Sequence, residues 1–117
     1  MAFLIICRAA TDVSELRRRN RRPHLKYILR HRHQILFGGA LLSEDETHMT
    51  GMVIALDVPD RALAAAFVHD EPYCSAGMFP HVTIERWGHR IPEPHAGFLE
   101  GELAQEQSVE PGDEPTS

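Results

Sequence analysis

Residues 35–58 read ILFGGALLSEDETHMTGMVIALDV, two apolar runs separated by a short polar loop. Each apolar run has the length of a buried strand, and the polar stretch SEDETH between them favours a turn. Strands over residues 35–42 and 51–58 are therefore predicted to pair as an antiparallel hairpin. The adjacent glycines Gly38 and Gly39 further indicate a close approach to this backbone by another part of the protein.

A strand and a helix are predicted before the hairpin. The run FLIIC near the N-terminus is continuous, apolar and rich in β-forming residues, which predicts a strand over residues 2–8. Proline is accepted in the first turn of a helix but not in its interior, and apolar side chains recur at helical spacing after Pro23. The sequence therefore predicts a helix from about Pro23 to His31.

A second helix and a last strand are predicted after the hairpin. Asp60 is a favourable N-cap, and the alanine-rich run RALAAAFV that follows it predicts a helix ending near His69. The segment HVTIERW alternates apolar and polar residues, so residues 81–87 are predicted to form a half-buried strand.

The predicted order β-α-β-β-α-β is that of a ferredoxin-like α+β fold, an antiparallel sheet with two helices on one face. The opposite face of such a sheet remains open, and a chain of 117 residues builds only a modest core. Both features favour a homodimer in which a second copy covers the open face.

Composition indicates one domain followed by a tail. Apolar residues make up 43% of the chain, and residues 1–90 contain all the predicted elements. Residues 91–117 are acidic and rich in Pro, Gly, Glu and Ser, a composition that buries too little apolar surface to order itself. We expect this segment to be a flexible tail.

Charge is distributed unevenly along the chain. The formal net charge is −5, yet nine of the twelve Lys and Arg residues precede residue 41, and seven of the seventeen acids follow residue 90. The basic run RRRNRR at residues 17–22 lacks interleaved aromatic residues, and the whole protein is acidic. We therefore expect no nucleic-acid partner.

Several other classes of protein are not indicated. Cys7 and Cys74 do not form a CxxC metal motif, and two isolated cysteines fit a reduced, cytoplasmic protein. His31 and His33 have a His-x-His spacing, but the sequence places no acidic partner beside them, and we expect no metal. The N-terminal apolar run is too short to span a membrane. No phosphate-binding glycine loop, nucleophile elbow or dinucleotide fingerprint is present, so we expect no cofactor.

Several segments resemble the YciI-like (YCII-related) family, in the family's order and over residues 1–88. The segment DEPYCSAGMF at residues 70–79 looks like the family's Asp-Pro-Phe/Tyr-x-x-Ala-Gly-hydrophobic signature. It is followed by VTIERW, and preceded by RRPHL, LFGGALL and TGMVI, which also match. The resemblance implies a dimeric α+β barrel with a cleft in which a histidine and an aspartate act as an acid/base pair on a small organic molecule. One lineage of the family resembles a dehydrochlorinase of chlorinated hydroxyquinols.

The resemblance places His24 at the family's catalytic histidine and Arg21 at the arginine of its Arg-x-x-His motif. At the predicted helix start, His24 feels the positive end of the helix dipole, which favours a neutral imidazole that can act as a base. The planar guanidinium of Arg21 suits a carboxylate or phenolate on a substrate.

The acid partner of His24 has two candidates. The family has Asp directly before the proline, where this chain has Glu71, with Asp70 one position earlier. Glu71 is favoured by alignment and Asp70 by side-chain type, so both are candidate catalytic residues. Tyr73 and Gly39 are candidate substrate-binding residues, Tyr73 as an aromatic wall and Gly39 through a backbone amide near an oxyanion.

Together these features predict a cofactor-independent enzyme that uses a His/acid pair for isomerisation, elimination such as dehydrochlorination, or hydrolysis of a small organic molecule. The alternative is a non-catalytic dimeric module that binds a small ligand or regulates a partner.

Overall fold

The computed structural model describes residues 2–107. Of these, residues 2–87 form one compact unit and residues 88–107 belong to a second. The elements of the first unit are β1 Ala2–Arg8, α1 Ser14–His31, β2 Ile35–Leu42, β3 Met49–Asp57, α2 Arg61–Asp70, α3 Pro72–Ser75 and β4 His81–Trp87. A short 3-10 helix, Arg32–Gln34, connects α1 to β2, and the second unit contains α4, Phe98–Gln107.

The strands form one antiparallel sheet in the order β2-β3-β1-β4. The predicted hairpin is present as β2 and β3. The N-terminal strand β1 lies between β3 and β4, and its Ile5 aligns with both Ile54 and Ile84. The continuous apolar sequence of this central strand places one set of side chains in the core and the alternate set on the opposite, partly exposed face of the sheet. The ferredoxin-like α+β prediction is confirmed.

The core lies between one face of the sheet and the first three helices. Alternate residues of β1 and β3 face these helices, as the period of a strand requires. The buried cluster consists of Phe3, Ile5, Cys7, Val13, Tyr27, Met49, Met52, Ile54, Leu56, Val58, Ala64, Phe67, Tyr73, Met78 and Phe79. On the opposite face of the sheet Leu4, Ile6 and Val53 remain partly exposed.

Helix α1 begins at Ser14, nine residues before the predicted start at Pro23, so that prediction is wrong. A proline in a helix interior costs about 3 kcal/mol, which is the reason for placing the helix start there. Packing offsets this cost, because Tyr27 on the C-terminal side of the proline is buried and Leu16 on the N-terminal side packs against the core. Glu15 also pairs with Arg18 and Arg19 at helical spacing.

The other elements agree with the predictions more closely. β1, β2 and β4 have the predicted bounds, and β3 begins two residues early, at Met49. Helix α2 follows Asp60, whose side chain accepts the amide of Leu63 at 2.9 Å, as expected of an N-cap.

The C-terminal segment is not irregular throughout. α4 was not predicted, and its start is supported by Glu93, whose carboxylate accepts the amide of Leu99 at 3.1 Å. Arg90 lies 3.8 Å from Glu102 within the same unit. The flexibility of residues 91–117 stays a prediction, and residues 108–117 lie outside the described part of the chain.

A substitution at Gly51 is expected to destabilise the sheet. A Cβ at Gly51 would lie 2.3 Å from the carbonyl oxygen of Cys7 and 2.9 Å from Leu41, and the backbone atom cannot move away without breaking the β1–β3 pairing. Gly51→Ala is therefore expected to lower the free energy of unfolding by about 2–3 kcal/mol in urea titrations. Gly39→Ala is the matched control, since a Cβ there meets nothing within 4 Å. Equal unfolding midpoints for the two variants would contradict the close approach.

Candidate active site

His24 lies in the middle of α1, because the helix begins at Ser14. The expectation that His24 feels the positive end of the helix dipole is therefore wrong, since that effect is confined to the first turn. The imidazole is oriented instead by a carboxylate. Its Nδ1 atom is hydrogen-bonded to Oε1 of Glu71, and only 13% of the His24 side chain is exposed.

Glu71 occupies the junction between α2 and α3. Its backbone amide donates to the carbonyls of Phe67 and Val68, which closes α2. Its side chain caps α3, because Oε2 accepts the amide of Cys74 at 3.0 Å, and a proline follows at the first helical position. The local sequence Glu-Pro-Tyr-Cys thus fixes the carboxylate in place, and the residue is completely buried.

The charge of Glu71 is maintained by its hydrogen bonds. Burial raises the pKa of this carboxyl, but the bonds from His24 and from the Cys74 amide outweigh burial and hold the pKa below its ordinary value of 4.5. Glu71 is therefore an ionised acceptor, and Nδ1 of His24 is the donor. In a neutral imidazole this arrangement leaves Nε2 unprotonated and able to accept a proton.

Tyr73 forms the wall behind His24. The two rings are stacked almost in parallel, 3.8 Å apart at their centroids and inclined by 6°. Tyr73 is 1% exposed, and its hydroxyl is buried with no hydrogen-bond partner among the described residues. The stack and the Glu71 bond together hold the imidazole in one orientation.

A cavity of about 260 Å³ lies beside this pair, between α1 and the β2–β3 hairpin. It exists because β2 contributes small residues at this point: Gly38, Gly39 and Ala40 line it. The other lining residues are Arg17, Arg21, His24, Ile28, Ile35, Met49, Met52, Ile54 and Tyr73. The cavity therefore combines an apolar floor with polar groups from α1.

The two glycines of β2 differ in their surroundings. A Cβ at Gly38 would lie 3.3 Å from the carbonyl of Val53, which confirms a close approach there. At Gly39 a Cβ would meet nothing within 4 Å, so the predicted close approach is wrong for this residue. Gly39 nevertheless lines the cavity, and so do Arg21 and Tyr73, the other two predicted substrate-binding residues.

Asp70 is not the partner of His24, and the prediction that it pairs with the imidazole is wrong. It is the last residue of α2, its side chain is exposed, and it contacts His69 at 2.9 Å. One residue further on, the chain turns into the core, so that Glu71 points at His24 instead. The longer glutamate side chain thus occupies the position at which the family resemblance implies an aspartate.

Arg17 is a cavity residue that the sequence analysis missed. Arg17, Arg21 and His24 are spaced by four and three residues, which places them on one face of a continuous helix. This spacing is visible in the sequence, but only for a helix that begins before Pro23.

Two other kinds of feature are absent from residues 2–107. No three His, Cys, Asp or Glu side chains come together as a metal site would need. None of the helices in that range has the length and apolar character required to cross a bilayer. The cytoplasmic location expected from the cysteines stays a prediction.

The fold and the cavity define a small α+β domain with a buried imidazole–carboxylate pair beside a space for a small molecule. The YCII-related domain model matches residues 1–88, and the chain belongs to this family. The chain is also similar to a solved structure, with 28% sequence identity. That structure is 5-chloro-2-hydroxyhydroquinone dehydrochlorinase from Burkholderia phenoliruptrix AC1100 in complex with 2,5-dihydroxybenzoquinone. The match has a TM-score of 0.71 and covers 80% of this chain and 99% of the dehydrochlorinase. A comparison with curated proteins found no significant match.

Glu71→Gln is expected to change how stability depends on pH. Because the pKa of Glu71 is lowered on folding, its contribution is complete above about pH 4.5 and is lost as the pH falls through the native pKa. The variant keeps an acceptor oxygen but loses the charge, so it is expected to be about 1–3 kcal/mol less stable at pH 7. This deficit is expected to shrink in urea titrations carried down to pH 3. Glu44→Gln is the control, since Glu44 is exposed in the loop between β2 and β3, and a pH-independent deficit would contradict an ionised Glu71.

Proposed function

We propose that this protein is a cofactor-independent enzyme in which His24, oriented by Glu71, transfers a proton to or from a small organic substrate. The observation that carries the proposal is the completely buried carboxylate bonded to an imidazole at the wall of a cavity. A buried charge is costly unless it is paired, and here it is paired with an imidazole, a group that can both accept and donate a proton. Isomerisation, elimination and hydrolysis are all within reach of such a pair.

In an elimination the pair acts as a base. Nε2 of His24 takes a proton from the substrate, the released electron pair forms a new double bond, and chloride leaves with its bonding electrons. One HCl is lost in total, and the proton on His24 then passes to solvent. Glu71 stabilises the transient imidazolium through the Nδ1 hydrogen bond, and its own negative charge balances it.

Dehydrochlorination is favoured among the possible reactions by the comparison with a solved enzyme. That enzyme is a dehydrochlorinase of a chlorinated hydroxyhydroquinone, and it was solved with a dihydroxylated benzoquinone bound. The cavity of about 260 Å³ beside His24 is of a size that suits a single substituted ring, and its apolar floor is suited to a ring face.

Chloride release from 5-chloro-2-hydroxyhydroquinone tests this function. The wild-type chain is expected to release chloride, and His24→Gln is expected to lower kcat by about 10²–10⁴-fold because the base is removed. His69→Gln is the control, since His69 is exposed and its ring is hydrogen-bonded to the neighbouring Asp70 and does not line the cavity.

The same samples distinguish the alternative of a binding module. If wild type and His24→Gln bind 2,5-dihydroxybenzoquinone equally well by calorimetry and neither turns over the chlorinated compound, the pair is a structural hydrogen bond and the module is supported.

We propose in addition that the protein forms a homodimer through the open face of its sheet. Leu4, Ile6 and Val53 form an apolar strip on this face, and Phe37 adds a ring that is 46% exposed. Phe37 meets Trp87 edge to face, with ring centroids 5.2 Å apart. A contiguous apolar face of this kind is typical of a protein–protein interface.

Ile6→Lys is expected to convert a dimer into a monomer, because it places a charge in the centre of the apolar strip. Sedimentation velocity at micromolar concentration measures the change. Leu29→Lys on α1 is the matched control, since Leu29 is 60% exposed and lies away from the sheet. A wild-type chain that sediments as a monomer would refute the proposal.

A further inference from the structure

The cavity beside His24 carries positive charge without a compensating acid. Arg17 and Arg21 line it, and none of its other lining residues is an aspartate or a glutamate. The nearest buried carboxylate, Glu71, already accepts from His24 and from the amide of Cys74. A site built in this way attracts a ligand of negative charge.

Two neighbouring arginines of α1, Arg18 and Arg19, are instead paired with an acid. Arg18 lies 2.6 Å from Glu15 and Arg19 lies 3.5 Å from the same carboxylate. Among residues 2–107, Arg17 and Arg21 make no such ion pair. Two arginines of the helix that do not line the cavity are thus paired with an acid, whereas the two that line it are not.

Two buried donors at the cavity also lack partners. The Nε atom of Arg17 and the hydroxyl of Tyr73 are shielded from solvent, and neither has a hydrogen-bond partner in the described part of the chain. A buried polar group without a partner destabilises a protein, so each such group requires an explanation, and at the wall of a cavity a bound ligand supplies one. The Nε atom of Arg17 can only donate a hydrogen bond and the hydroxyl of Tyr73 can donate or accept one, so a ligand with acceptor oxygens can satisfy both.

The two arginines also border a second cleft. A cleft of about 440 Å³ is lined by Ser14, Arg17, Arg18, Arg21, Thr47 and Met49, and it shares Arg17, Arg21 and Met49 with the cavity. The arginines therefore lie between the cavity that holds His24 and a cleft of predominantly basic and hydroxyl character. An anion that approaches through the cleft meets them before it reaches the imidazole.

From these observations we infer that Arg17 and Arg21, with the hydroxyl of Tyr73, form a subsite for a carboxylate or a similarly planar oxyanion on the substrate of His24. The substrate is thus a small organic anion, and the arginines set which of its atoms faces Nε2. Guanidinium groups suit this ligand because their donors match two oxygens at once. As a substrate subsite this inference rests on the proposed function, but its charge preference does not.

Paired acids and amides test the subsite by binding alone. Benzoate, salicylate and 4-hydroxybenzoate are compared with benzamide, salicylamide and 4-hydroxybenzamide by calorimetry at pH 7.5 and low salt. The acid and the amide of each pair have nearly the same shape but differ in charge. The full chain is expected to bind at least one acid about tenfold or more tightly than its amide. If no acid is preferred to its amide, or if none binds, the inference is overturned.

Variants then show which side chains produce the preference for the acid over its amide. Arg17→Gln and Tyr73→Phe are each expected to reduce the preference for the acid several-fold, and Arg17→Lys is expected to restore only part of it because the planar fork is absent. Arg19→Gln is the matched control, since Arg19 is paired with Glu15 and lines neither the cavity nor the second cleft. Circular dichroism and the unfolding midpoint establish that each variant is folded.

His24→Gln separates this inference from the proposed function. If this variant loses turnover but still prefers the acid, the proposed function and the subsite are both supported. If neither the wild type nor any variant turns over substrate but the preference depends on Arg17, the subsite is supported and the proposed enzymatic function is refuted. If the preference is lost in His24→Gln and kept in Arg17→Gln, the anion is held by the imidazole and the subsite is refuted.

Discussion

A carboxylate that is wholly removed from water requires compensation for its charge, and much of the site is arranged around meeting that requirement for Glu71. Burial alone favours the neutral acid, yet the two side-chain oxygens accept from an imidazole and from a backbone amide, and the ionised form prevails. One donor comes from α1 and the other from α3. The carboxylate therefore ties together two helices that are distant in sequence, and it fixes the tautomer of the histidine in the same step.

The cavity depends on a second constraint, the size of the residues on β2. A helix packed on a sheet ordinarily fills the space between them with large apolar side chains, as Met52 and Ile54 do on β3. On β2 the chain offers Gly38 and Ala40 at the same level, so α1 is held above the sheet with a gap beneath its polar face. The gap is lined by apolar residues below and by Arg17, Arg21 and His24 above.

The sequence allowed the sheet to be predicted closely, because continuous apolar runs and alternating segments have few other structural solutions. It failed for α1, since Pro23 obeys the usual rule for a helix start and only tertiary packing overrides it. That single error moved His24 to a helix terminus and hid the alignment of Arg17 with Arg21. The choice between Asp70 and Glu71 could not be made from residue types, because it depends on where α2 ends and the chain turns inward.

Glu71 has one further consequence, which concerns evolution rather than chemistry. The same side chain terminates one helix, starts the next and orients the proposed base. Its side chain must be long enough to reach both the amide of Cys74 and the ring of His24. A change to the shorter aspartate would therefore require a compensating shift of the α2–α3 junction. Residues with a single role can be exchanged one at a time, whereas the acid and its turn must change as a unit. An exchange at this position should consequently be accompanied by a change in the preceding helix end.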